Sequence, residues 1–277
     1  MNVDFLGDTS ANRYAYESDD EDQLNPLTDH SVHRTARVTI EGDAHPGKSV
    51  ETIIVASGEA GKAWAQGAQL GEQRAAVVVD DSTVGFVFLP PWSDAAIIVS
   101  ETSKALPTWA MHPYAETIIG IYNPKRLLLL DVYSAPTYIS SEPLEAYRAP
   151  VRYLRTRGKT VPGTFILPFV PPNLIQATCA AFASVAALPT SQMDAILLLL
   201  PSQHIPIPRG NDITLSPHAS DDMNRSNWSE TMMRQVHGCL VELSGVRAPA
   251  PWQGDTLLLK QSETKRRGDI GDGGMYM

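Results

Sequence analysis

Cysteine is scarce in this sequence: two residues in 277, Cys179 and Cys239, neither part of a C-x-x-C pair. Such spacing excludes a disulfide framework and a multi-cysteine zinc site, and each thiol sits in an apolar helical pattern that suits a small buried hydrophobe in a reducing compartment. Positive charge is also short, with 22 Lys and Arg against 31 Asp and Glu and a formal net charge of −9. Phosphate neutralisation needs clustered cations, so this balance argues against a nucleic-acid partner. The basic triplet Lys265-Arg266-Arg267 is short and reads as part of a solvated linker. No window reaches about 18 uninterrupted apolar residues, and no basic stretch precedes an apolar one near Met1, so neither a membrane span nor a secretory leader is expected.

Catalytic signatures are missing as well. "ASGEAGKA" (56–63) lies where a strand meets a helix, the place for a phosphate-cradling loop, but Ala56 and Ala63 replace the glycine and the hydroxyl that such a loop requires. A tight strand-to-helix turn is the favoured reading. The histidines show no H-x-x-x-H spacing, and His204, His218 and His237 have no cysteine nearby in sequence, so no metal is expected. There is no G-x-S-x-G elbow, and the Ser, His and Asp residues of 202–222 read as a polar surface loop. Asp131, Glu142 and Glu145 are carboxylates that nothing in the sequence pairs.

What is present is an alternation of strand and helix patterns. Residues 1–34 are acidic, with the run Glu17-Ser18-Asp19-Asp20-Glu21-Asp22, and predict a disordered arm. Strand patterns follow at Arg37-Val38-Thr39-Ile40, at Glu51–Ala56 and in "RAAVVVDD", "TVGFVFLPP" and "AAIIVSE", with an Ala-rich helix around Lys62–Gln66. His112-Pro113 predicts the start of a short helix. "RLLLLDV" (126–132) and "AILLLLP" (195–201) have the continuous apolar character of strands covered on both faces. Between them, the spacing of Leu174, Ala177, Thr178, Ala181, Phe182 and Val185 predicts a helix capped by Asn173, and Ile175, Cys179 and Ala183 make its second face apolar too. A final helix carries Trp228, Met232, Val236, Leu240 and Leu243, with Asn227 and Glu230 as a capping box and Gly245 as its stop. These patterns predict an α/β fold, a mixed or mostly parallel central sheet flanked by helices, as one domain over 35–260. From 261 to 277 periodicity vanishes, which predicts a flexible tail.

That tail closes on "GDGGMYM". Hydrophobic-Tyr-X at a C-terminus, here Met275-Tyr276-Met277, resembles the docking motif by which proteasome activators and assembly chaperones enter pockets between α subunits of the proteasome core particle. "FLGD" and "ESDDEDQ" in the acidic start, "TIIVASGEAGKAW" (52–64) and "NLIQATCAAFASVAALPTSQMDAILLLLP" (173–201) resemble the proteasome assembly chaperone 1 family. The resemblance implies a non-enzymatic, cofactor-free chaperone, cytoplasmic or also nuclear. It would act as a heterodimer with a homologue of proteasome assembly chaperone 2, on an α-ring pocket among the fifth to seventh α subunits. It further implies that Met275, Tyr276 and Met277 are the docking residues, with Gly271, Gly273 and Gly274 as a flexible lead. The competing reading is a nucleoside- or nucleotide-binding enzyme on a phosphorylase-like α/β scaffold, using the turn near Gly58 and the loop 202–222 at the strand ends.

Overall fold

The computed structural model describes residues 35–43, 50–140, 145, 148–158, 165–206, 208–216, 228–245 and 251–254. The acidic arm 1–34, the tail 261–277 with its docking tripeptide and glycine lead, and the capping residue Asn227 lie outside them.

Four apolar runs lie side by side at the centre: β5 (Ala96–Ser100), β2 (Thr52–Ser57), β7 (Arg126–Ser134) and β10 (Asp194–Ser202), all parallel. They are apolar at nearly every position because successive side chains point to opposite faces and both faces are covered. Ile53, Val55, Leu127, Leu129, Leu197 and Leu199 enter one core, while Ile54, Ala56, Leu128, Leu130, Leu198 and Leu200 enter the other. Each such fully buried side chain contributes about 1.5–3 kcal/mol relative to exposure. The first core is closed by α2 (Thr108–Tyr122) and α3 (Thr178–Ala187), the second by α1 (Gly58–Gly67) and α4 (Glu230–Ser244).

Among the described residues this sheet has nine strands. Beyond β5 it is extended by antiparallel β4 (Ser82–Phe88), β3 (Gln73–Val79) and β1 (Val38–Gly42). Beyond β10 comes antiparallel β8 (Val151–Arg155), and β9 (Ile166–Pro168) runs parallel to it. A separate pair joins β6 (Lys104–Ala105) to β11 (Thr214–Leu215). The mixed sheet between two helical layers is the α/β fold that the patterns predict.

Three helix starts differ from the sequence reading. α3 begins at Thr178 rather than after Asn173, and Leu174 is 82% exposed. Asn173 serves a different purpose: its side chain donates to the Ile139 and Val170 carbonyls at 2.9 and 3.0 Å and accepts from the Ile139 N–H at 2.7 Å. Both hydrogen-bonding ends of its amide are therefore committed to neighbouring loops. α2 opens at Thr108, behind Pro107, and Pro113 lies inside it. Proline suits the threshold of a helix, and of the two prolines available the chain uses the earlier one. α4 is capped by Ser229, whose Oγ accepts the Met232 N–H at 3.2 Å. Gly245 ends it in the left-handed conformation, at φ 86°. The deepest side chains of α4 include Met233 and His237, one step round from the predicted Met232.

At the strand-to-helix turn, β2 passes directly into α1. Gly58 takes φ +58°, and a Cβ on Gly61 would stand 2.4 Å from the Ala56 carbonyl oxygen. Both glycines of "SGEAG" therefore serve a sharp reversal in which the helix backbone lies against the strand it came from.

Candidate functional site

The ends of the parallel strands open into a crevice of about 680 Å³. A parallel sheet places all its C-terminal strand ends on one edge, where loops rather than helices must fill the gap. Ser57 and Gly58 lead from β2, Glu101 follows β5, Asp131 to Ser134 close β7, and Ser202 closes β10. The segment 208–216 crosses above them, so the structure brings Gly58 and much of the loop 202–222 to one cavity.

Glu101 sits on the crevice floor at φ 55° and is 2% exposed. Its Oε1 accepts from the Leu106 N–H at 2.8 Å and from Arg209 Nη1 at 2.5 Å. Arg209 Nη1 also donates to the Leu106 carbonyl at 3.2 Å. This buried charge is thus paired and hydrogen-bonded, as burial requires.

Asp131 is less well provided for. It is 5% exposed, its Oδ1 accepts the Val132 N–H at 2.8 Å, and its Oδ2 is buried with no partner among the described residues. Burial pushes its carboxyl up to about 7; the Val132 N–H opposes this, the Glu101 charge adds to it, and Cys179 and Arg209 oppose it. Ser134 Oγ, three residues on along the same strand end, is also unpartnered. Cys179 approaches from α3, with its sulfur 3.4 Å from Ser57 Oγ. Burial above all, together with the Asp131 charge, raises its thiol well above the ordinary range, so it stays a protonated core group rather than a nucleophile.

One wall is aromatic. Tyr133, Tyr138 and Phe169 meet edge to face with ring centroids 5.3 to 6.3 Å apart. Arg152 lies over Tyr138, 3.8 Å from the ring centroid, and Tyr133 donates its hydroxyl to the Pro150 carbonyl at 2.7 Å. The rim carries Ile139, Leu174 and Ile205, all strongly exposed.

Of the carboxylates noticed in the sequence, Asp131 reaches this site. Glu145 faces Arg148 at 3.6 Å on the exposed surface, and Glu142 lies outside the described residues. Glu101 and Arg209 were not visible beforehand, since they are 108 positions apart and neither stands in a motif. His237 lies buried on the other face, accepting the Trp64 indole N–H at 3.2 Å. Among the described residues no group of three or more His, Cys, Asp or Glu could hold a metal ion, and no helix is long and apolar enough to cross a membrane.

No family model and no curated protein matches this sequence. Solved structures of similar shape include Pyrococcus furiosus PbaB, an archaeal proteasome activator, with a TM-score of 0.49 and 12% identity over 83% of this chain and 96% of that one. Pyrococcus furiosus PbaA, an archaeal homolog of proteasome-assembly chaperone, superposes with a TM-score of 0.46 and 8% identity, over 84% of this chain and 94% of its own. A Mycobacterium tuberculosis proteasome-assembly chaperone homologue gives 0.40 and 13%, over 79% and 96%.

Proposed function

We propose that this protein is a non-enzymatic proteasome assembly chaperone that pairs with a second, related chaperone and binds the α ring of the 20S core particle in the cytoplasm or nucleus. The observation that carries the proposal is the tripeptide Met275-Tyr276-Met277 behind Gly271, Gly273 and Gly274. A free carboxylate on Met277 would meet a pocket lysine as a charge-assisted pair. Tyr276 offers a flat ring and one hydroxyl for the pocket mouth, and Met275 an adaptable apolar chain for its interior. The glycines place no Cβ in the way of an extended approach. Support also comes from residues 173–201, whose sequence carries the family resemblance and which include α3 and β10.

Three residues bind weakly by themselves, so useful affinity needs a second attachment through the folded body or a partner's own tail. The pocket would lie among the fifth to seventh α subunits. Occupying it would guide ring assembly and keep regulatory particles with the same docking chemistry away until the ring is complete.

Removing Met275, Tyr276 and Met277 should reduce co-purification of α-ring intermediates by about tenfold or more, as expected when one of two linked attachments is lost. Quantitative mass spectrometry of the proteins retained by the intact and shortened chains measures this. Fusing extra residues behind Met277, which removes the free carboxylate while keeping every side chain, should act in the same direction. Equal retention by all three chains would overturn the proposal.

A further inference from the structure

We propose that the crevice at the ends of β2, β5, β7 and β10 is a small-molecule site, taking an uncharged or cationic ring compound that donates hydrogen bonds to Asp131. A buried carboxylate oxygen without a donor is uncommon, because folding strips it of water and gives nothing in return. Asp131 Oδ2 is such an atom, in a residue 5% exposed that lines a cavity large enough for a ligand. Cavities of about 300–1,000 Å³ with a few convergent polar groups are where small molecules bind.

Charge narrows the ligand class. Glu59, Glu101, Asp131 and Asp212 line the crevice, against one guanidinium, Arg209, already held by Glu101 and the Leu106 carbonyl. A phosphate placed there would meet like charge at close range. Hydroxyl or amine donors suit the floor, and a flat ring suits the wall of Tyr133, Tyr138 and Phe169. A nucleoside combines both features, and so does an aromatic amine. The inference is independent of the proteasome reading, since none of these residues belongs to the tail.

Calorimetric titration of the full chain with adenosine, guanosine, cytidine and tryptamine tests it. Saturable binding of at least one is expected, with adenosine at least tenfold tighter than adenosine monophosphate if adenosine is the ligand that binds. Asp131→Asn keeps the shape and removes the charge, and should weaken that ligand about tenfold. Gln176→Trp, at the exposed rim of the same cavity, should weaken it too while leaving the floor intact, which covers the case of an Asp131 variant that fails to fold. A chain lacking 275–277 should bind the ligand as the intact chain does, which separates this site from the tail. No saturable binding by any of the four, equal or tighter binding of the monophosphate, or binding unaffected by both substitutions would each overturn the proposal.

Discussion

Asp131 makes the stability of this protein depend on pH in an unusual direction. In the unfolded chain its carboxyl ionises near its ordinary value of 3.8, whereas in the fold it holds its proton until about 7. Below pH 4 both states are protonated and the residue contributes nothing. Between pH 4 and 7 the unfolded chain releases the proton and the folded one keeps it, so ionisation favours unfolding and stability falls as pH rises. Above 7 the penalty is constant, on the order of 4 kcal/mol for a carboxyl held protonated until about 7. The groups facing it, Glu101, Cys179 and Arg209, remain in place in Asp131→Asn, which removes only the titration. Urea denaturation at pH 4.5 and pH 8 should therefore show the variant gaining stability relative to the parent at the higher pH. A pH dependence unchanged by the substitution would contradict this account. At this scale the sequence is partly legible: the aspartate of "RLLLLDV" is a charge set between Leu130 and Val132 in an otherwise apolar run. The Glu101–Arg209 pair is not, because only the crossing of a distant loop brings it together.

Among the elements, the join between β2 and α1 is the most constrained. A methyl group on Gly61 would press 2.4 Å from the Ala56 carbonyl oxygen, and backbone on both sides leaves neither partner free to yield. Gly61→Ala should destabilise the fold by about 1–3 kcal/mol, the cost of overpacking. Gly120→Ala is the internal comparison: in the exposed last turn of α2 its Cβ meets nothing within 4 Å, and better helix propensity should stabilise the protein by up to about 1 kcal/mol. Thermal melts of the two variants would shift in opposite directions, and a shared direction would refute the steric argument. Elements covered on both faces could be read directly from their apolar runs, which is why β7 and β10 were evident. β8 and β9 carry no such signal: VRYLR mixes charged with apolar residues near an edge, and ILP is three residues ending on a proline. The false start of α3 has the reverse cause: Leu174 continues an apolar rhythm that belongs to the crevice rim rather than to a helix.

Across the whole molecule, protection follows from layering. β2, β7 and β10 have strands on both sides and a helical layer on each face, whereas β1 and β9 form the margins of the sheet. Amide hydrogen exchange should be slowest in β2, β7 and β10 and fastest among the strands in β1 and β9; comparable rates throughout would deny a central cooperative unit. The order of strands itself was not available from local pattern, because it depends on pairings between residues far apart in the chain. One anchor ties residues 251–254 to this layered body. Trp252 donates its indole N–H to the Trp64 carbonyl at 3.0 Å, and the Gln253 N–H bonds to the carbonyl of Gly67 at 2.9 Å. α1 begins at the crevice and ends at this clasp, roughly 15 Å away at 1.5 Å per residue. The clasp and the crevice are thus held a full helix length apart, at opposite ends of one rigid rod, so a side chain changed at the one has no steric quarrel with the other.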